Sequence, residues 1–275
     1  MSGNLYLVAT PIGNLEDITL RAISVLKSVD LIAAEDTRHT LKLLNHLEIK
    51  KPLISYYKEN EKIKSEILID KLEEGKNIAL VSDAGTPAIS DPGEEIVKLC
   101  IEKNINIIPI PGACAFINAL ICSGLNTREF IFVGFLSANV KEKKQKLYDL
   151  KNEYRTIILY EAPHKIQNTL ENIKDTLGDR EVVLAREITK IHEEFLRGKI
   201  SKILENIQEI KGELVIVIKG TEKKDEKLEI LNSLSLEEHY KYYLNKNMDK
   251  KEIIKKIAKD RNKNKNEIYQ YFINY

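Results

Sequence analysis

Polar clusters that follow apolar runs hold the groups able to do chemistry. "AAEDTRHT" (33–40) brings Glu35, Asp36, Arg38 and His39 together. Two carboxylates, a guanidinium and an imidazole can furnish a proton acceptor and a phosphate contact. The competing reading is structural, with Asp36 or Thr37 as the N-cap of the next helix and the charges solvated. "VSDAGTPAISDPG" (81–93) is more constrained. Asp83 can accept from an amine or offset a cation. Gly85 and Gly93 leave backbone amides open, and Thr86 and Ser90 add hydroxyl donors. Pro87 and Pro92 reduce the entropy lost in holding one loop shape. So rigid and polar a turn after a buried strand suits a ligand. Ser90 and Asp91 are read either as ligand contacts or as caps of the following helix.

"ATPIGNLEDIT" (9–19) has Pro11 to stiffen a turn and Gly13 to admit close backbone approach. It lacks the G-x-G-x-x-G pattern, so a Rossmann dinucleotide site is not indicated. "PIPGACA" (109–115) is another glycine turn, whose backbone can flank a flat ring. "YEAPHKI" (160–166) and "LAREITKIHEEFLRG" (184–198) bring Glu161, His164, Lys165, Arg186, Glu187, Lys190, His192, Glu193, Glu194 and Arg197. Any one of these suits a solvated surface. Together, beside two sheets, they read as the lining of a cleft.

The elements that must position these clusters alternate. Apolar runs at 5–12, 30–36, 52–57, 77–83 and 105–111 read as strands. Amphipathic helical patterns lie between them, at 17–29, 37–47, up to Gly75, and 91–103. Continuous Val/Ile/Leu runs between amphipathic helices predict a parallel α/β sheet. A small-residue apolar helix follows at 112–125. Strands at 130–136, 156–162, 181–187 and 213–220, with a helix at 140–154 capped by Asn139 and Glu142, predict a second sheet. The expected organisation is an N-terminal α/β domain over 1–125 and a second α/β domain over 126–220. A linker over 221–234 and a helical module over 235–275 complete it. Ser235/Glu238, Asp249/Glu252 and Asn264/Glu267 mark three helix starts in the module, a pattern that resembles a helix-turn-helix.

Composition narrows the function classes. The chain has 275 residues, 43% hydrophobic and 31% charged, as a globular protein does. No apolar run approaches the roughly 20 residues that span a bilayer, and no signal peptide is read at the N-terminus. Three cysteines, Cys100, Cys114 and Cys122, lack the spacing of a disulfide framework or zinc site. No metal motif is present, and a reducing cytoplasm is the expected location. From His239 to Tyr275 ten Lys or Arg face four acids, although the whole chain carries only +1. A basic tail on an acidic body points to a polyanion, the alternative being a solvated lysine-rich face.

Taken together, "LYLVATPIGNLEDITLRA", "AAEDTR", "LVSDAGTPAISDPG", "PIPGACA", "YEAPHK" and "AREITKIHEEFLRG" closely resemble the ribosomal RNA small subunit methyltransferase I family, of the tetrapyrrole methylase-like superfamily. The resemblance covers residues 4–220 in order; the helical tail resembles the family's C-terminal domain less specifically. It implies two α/β domains with S-adenosylmethionine in the cleft between them, and a homodimer. It also implies 2′-O-methylation of a cytidine ribose in small-subunit ribosomal RNA, free or within the 30S subunit. By family precedent the methyl donor lies against Pro11 and Gly13, the loop with Asp83, Gly85, Thr86, Pro87 and Ser90, and the turn Pro111, Gly112, Ala113 and Cys114. Cys114 stands where serine or another small residue is expected, which touches only a side-chain contact. On this reading the proton acceptor is sought among Asp36, Glu35 and His164, with Glu161 a further candidate. Arg38, Lys165, Arg186 and Lys190 would hold RNA phosphates. Two rivals are a small-molecule methyltransferase of tetrapyrrole type and a non-catalytic RNA-binding assembly factor. The first has no use for the basic tail, the second none for the constrained Asp83 loop.

Overall fold

The computed structural model describes residues 2–207, 210–222 and 226–273. They form two compact units, 1–220 and 221–275. The first unit begins with β1 (Asn4–Val8), α1 (Leu20–Ser28), β2 (Leu31–Ala34), α2 (Thr37–His46), β3 (Leu53–Ser55) and α3 (Glu61–Glu73). It continues with β4 (Ile78–Val81), α4 (Glu94–Glu102), β5 (Asn106–Ile110) and α5 (Ala115–Ile121). β1 to β5 make one sheet in the order β3-β2-β4-β1-β5, parallel throughout. Such strands are buried on both faces, which is why β4 reads Ile-Ala-Leu-Val with every residue buried. Leu68, Leu72, Ile96 and Cys100 of α3 and α4 fill one face. Ala22, Leu26 and Leu44 of α1 and α2 fill the other.

A parallel sheet brings the ends of β1, β2, β4 and β5 to one edge. The strand order turns back there, because β4 returns to lie between β2 and β1. Ligands of open α/β sheets gather at such an edge.

The second sheet comprises β6 (Phe130–Phe135), β7 (Thr156–Glu161), β8 (Glu181–Arg186), β9 (Glu194–Lys199) and β10 (Leu214–Ile218), in the order β6-β7-β10-β8-β9. Only β6 and β7 pair in parallel; β10 runs against β7 and β8, and β9 against β8. The ends of β6, β7 and β8 therefore share an edge with the start of β10. α6 (Val140–Asp149), α7 (Ile166–Leu177) and α8 (Ile200–Asn206) supply Leu147, Leu170, Ile173 and Ile203 to one face. α5 covers the other face: Phe116, Ala119 and Leu120 pack with Ile158, Val183, Val215 and Val217. This helix precedes the second sheet in the chain yet packs on it.

The structure differs from the sequence reading in particular places. The helix expected over 140–154 ends at Asp149. Its cap is a relay rather than a capping box. Asn139 Oδ1 accepts from the amides of Lys141 and Glu142, at 2.9 and 3.4 Å. The Asn139 amide donates to Ser137 Oγ at 3.1 Å, and that hydroxyl donates to Glu142 Oε2 at 2.6 Å. Residues 194–199, read as part of a charged strand end, form the edge strand β9.

The second unit holds α9 (Glu226–Ser233), α10 (Leu236–Leu244), α11 (Lys250–Asp260) and α12 (Lys265–Tyr271). α9 lies where a structureless linker was expected; eight residues of mixed charge show too little periodicity to announce it. Ser235 and Glu238 form a complete capping box, and Asp249 accepts from the Glu252 amide. The Asn264 side chain accepts from the Asn266 amide rather than from that of Glu267. Tyr240, Tyr243, Ile253, Ile257, Ile268 and Phe272 make the core. Within it His239, fully buried, accepts at Nδ1 from Arg261 Nε at 3.2 Å, and its Nε2 lies 3.4 Å from Asp260 Oδ2. Burial, followed by the Arg261 charge, holds the His239 pKa below its ordinary value.

Candidate active site

The edges of the two sheets enclose a cavity of about 380 Å3. Ile12, Ala84, Gly85, Thr86, Ile89, Ser90, Asp91 and Cys114 line it from the loops after β1, β4 and β5. Ala115 and Phe116 open α5. Phe135 ends β6, and Tyr160, Glu161, Ala162 and Pro163 end β7. Ile188 follows β8, and Gly212, Glu213, Leu214 and Val215 begin β10.

The loops of the first sheet are tied to one another through the backbone. Thr10 and Gly85 exchange amide bonds in both directions, at 2.9 and 3.0 Å. Thr86 Oγ1 donates to the Ala113 carbonyl at 3.1 Å, and Ser82 Oγ to the carbonyls of Ala84 and Gly85. Gly85 sits at φ +82°, a conformation that glycine adopts without penalty. These bonds tie the loop after β4 to the loops after β1 and β5.

Of the residues singled out in the sequence, Gly85, Thr86, Ser90, Asp91, Cys114 and Glu161 line the cavity. Pro11 and Gly13 flank Ile12, which does line it. Asp83, Pro87, Pro111, Gly112 and Ala113 are not among the lining residues, and Pro111 and Gly112 are exposed. Asp83 turns toward β2: its Oδ1 accepts from the Asp36 amide at 2.9 Å, while its own amide donates to Glu35 Oε2 at 3.4 Å. Gly13 meets the opposite lobe. A β-carbon there would lie 2.4 Å from Lys190 Cγ. Beside it the Asn14 amide donates to Thr189 Oγ1 at 3.1 Å.

Four carboxyls collect around the ends of β2 and β4, and their environments separate them. Asp36 caps α2 by accepting from the Arg38 amide and also binds the Arg38 guanidinium at 2.8 Å, which lowers its pKa to about 2. Glu35 is pushed the other way, by burial and then by the charges of Asp91, Asp83 and Asp36. Burial raises Asp91 as well, against a hydrogen bond with Ser82. A carboxyl with a raised pKa is the better proton acceptor near neutral pH.

In the second lobe Glu161 is buried and satisfied, accepting from Thr169 Oγ1 at 2.6 Å and from the Ala162 amide at 2.8 Å. His164 and Lys165 are exposed on a single turn before α7. Arg186 pairs with Glu194 at 3.0 Å, and Lys190 with Glu187 at 3.0 Å and Glu213 at 3.3 Å. Burial pulls the Lys190 pKa down, but these two carboxylates outweigh it. Arg38 is 89% exposed outside its pair with Asp36.

Sequence reasoning missed the aromatic wall. Phe116 stacks on Phe132 with centroids 4.4 Å apart, Phe132 meets Tyr160 edge-on at 5.0 Å, and Phe135 meets Tyr160 at 5.4 Å. By residue type alone these rings are not distinguished from core residues. The available signal was a pair of aromatic rings, Phe135 and Tyr160, near the ends of two predicted strands. No group of metal-ligating side chains occurs among the described residues. No helix among them is long and apolar enough to cross a membrane.

Residues 4–204 match the family of Tetrapyrrole (Corrin/Porphyrin) Methylases. Ribosomal RNA small subunit methyltransferase I of Bacillus subtilis (strain 168) is 50% identical over 274 residues, 98% of this chain and 94% of that protein. The protein of the same name from Synechocystis sp. (strain ATCC 27184 / PCC 6803 / Kazusa) is 54% identical over 81% of each chain. Among solved structures, diphthine synthase superposes with a TM-score of 0.60 at 16% identity, covering 79% of this chain and 90% of that one. A cobalt precorrin-4 methyltransferase gives 0.58 at 18%, covering 78% and 94%. These two likenesses are of fold. With the loops, the cleft and the relatives in agreement, the chain belongs to the ribosomal RNA small subunit methyltransferase I family of tetrapyrrole methylases.

Proposed function

We propose that the chain transfers a methyl group from S-adenosylmethionine to the ribose 2′-hydroxyl of a cytidine in small-subunit ribosomal RNA, as a cytoplasmic homodimer. The observation that carries this reading is the cavity itself. A backbone-built polar loop on one side and an apolar aromatic wall on the other suit a ligand with a flat ring and a charged tail. Its volume lies within the range of small-molecule sites. Asp91, Glu161 and Glu213 among its lining suit a cationic ligand. Gly85, Thr86, Ser90 and Cys114 would contact the donor. Pro11, Gly13, Asp83, Pro87, Pro111, Gly112 and Ala113 hold the loops that do so. When bound, the donor supplies an activated methyl on a sulfonium.

The protein's own part is alignment and proton removal. Among Asp36, Glu35 and His164, Glu35 has the environment of a proton acceptor. Asp36 is committed to Arg38 and to capping α2, and His164 stands exposed beside Pro163. Arg38 and Lys165 are exposed and suit phosphate contacts. Arg186 and Lys190 would have to exchange a carboxylate for a phosphate. Ile117 and Ile121, exposed one turn apart on α5, offer a second copy an apolar face.

The test is methyl transfer from labelled donor to 30S subunits and to free small-subunit RNA, followed by mapping of 2′-O-methyl marks. A labelled cytidine ribose is the expected product; label on a base, or none, defeats the proposal. Glu35→Gln should lower kcat by roughly 100-fold or more and leave donor binding by calorimetry unchanged. Because Glu35 must be ionised to act and its pKa is raised, kcat should fall on acidification at a higher pH than an ordinary glutamate gives.

A further inference from the structure

Phe135 is an apolar ring left 63% exposed at the rim of the cavity. A bulge places it there. Residues three apart on a regular strand point to opposite faces. The register of β6 against β7 shifts between Phe132 and Gly134, and both Phe132 and Phe135 then reach Tyr160, at 5.0 and 5.4 Å. An aromatic face held in place at its back and open to solvent in front is a stacking surface.

α6 starts five residues after Phe135 and is anchored to the cavity wall. Lys143 Nζ donates to Thr169 Oγ1 at 2.7 Å and to Asn168 Oδ1 at 3.3 Å, and Thr169 donates to Glu161. Lys141 and Lys144 are exposed, and at three residues' spacing they share a helix face. Neither forms an ion pair among the described residues. The neighbouring acid, Glu142, is held by Ser137. This rim therefore differs from Arg38, Arg186 and Lys190, whose charges are already met by carboxylates.

Resting on the reading of a ribosomal RNA substrate, we propose that the RNA strand docks along this rim, with a nucleobase stacked on Phe135 and phosphates held by Lys141 and Lys144. Single-stranded RNA is bound in this way, by an aromatic platform beside a basic track. The rim adjoins the cavity, so a nucleotide stacked there presents its ribose toward the donor site.

The experiment uses the full chain, 30S subunits and free small-subunit RNA. Phe135→Ala should raise the RNA KM roughly tenfold or more, by a larger factor than any change in donor affinity, and Phe135→Trp should restore it. Lys141→Glu with Lys144→Glu should raise the RNA KM and make the log–log salt dependence shallower by about 1.4 units, as for two lost contacts to single-stranded phosphate. An unchanged RNA KM in both variants overturns the proposal. So does a Phe135→Ala chain that changes oligomeric state, because the ring then faces a second copy. Wild-type chain that leaves the RNA unmethylated defeats the function itself, whereas active wild type with indifferent variants defeats only the docking rim.

Discussion

The two sheets of the α/β unit close on one cavity by different means. The parallel sheet presents loops whose shape is fixed by backbone bonds, such as the pair between Thr10 and Gly85. The mixed sheet presents side chains, namely the rings of Phe116, Phe135 and Tyr160. A backbone-built wall keeps its form when side chains change, provided φ and ψ are respected. A wall of rings does not. Sensitivity to substitution should therefore divide along the cavity.

The largest effect should come from Phe116→Ala, which removes the ring stacked on Phe132. A loss of about 3–5 kcal/mol in denaturant unfolding is expected. Gly85→Val comes next: a β-branched residue at φ +82° costs about 1–3 kcal/mol, and its side chain would crowd Ile12. Weaker donor binding by calorimetry should accompany it. Thr86→Val removes one hydroxyl bond to the Ala113 carbonyl and should cost about 1 kcal/mol in the same unfolding assay. Cys114→Ser should lie within about 0.5 kcal/mol of wild type, with unchanged donor affinity. If Thr86→Val proves more damaging than Phe116→Ala, the contrast between backbone wall and ring wall fails.

The helical unit sharpens the contrast from outside both sheets. Its core carries a buried histidine, and a folded-state pKa below the ordinary 6.5 means that the unfolded chain takes the proton more readily. Stability of this unit is therefore full above the ordinary value and is lost as pH falls through it. Hydrogen exchange should show the helices of 226–273 opening before the sheets on mild acidification. Retention of their protection would contradict the assignment of His239 as a neutral core residue.

The same contrast explains what the sequence disclosed. β4 and β10 were legible because complete burial demands unbroken Val, Ile, Leu and Ala. β9 was not: Glu194–Lys199 is an edge strand with one neighbour, and Glu, Arg and Lys interrupt its apolar positions. The constrained turn after β4 was legible because its glycines and prolines stand out after an apolar strand, and Gly85, Thr86 and Ser90 of it line the cavity. Phe116 and Tyr160 were hidden, since a ring lining a cavity and a ring filling a core are the same letter. Asp36 illustrates a limit in the other direction. Its type suited a base, but the residue that begins a helix after a strand is also the one that caps it, and the bond to the Arg38 amide shows it does so.

The contact of Gly13 with Lys190 has a consequence for how such chains can diverge. A β-carbon at position 13 would stand 2.4 Å from Cγ of the lysine, so position 13 is not free to grow while that lysine is in place. A larger residue at 13 requires a shorter one at 190, and the carboxylates of Glu187 and Glu213, then without their cation, favour replacement too. Across related sequences these four positions should covary as a set, although 13 and 190 lie in different lobes and far apart in the chain.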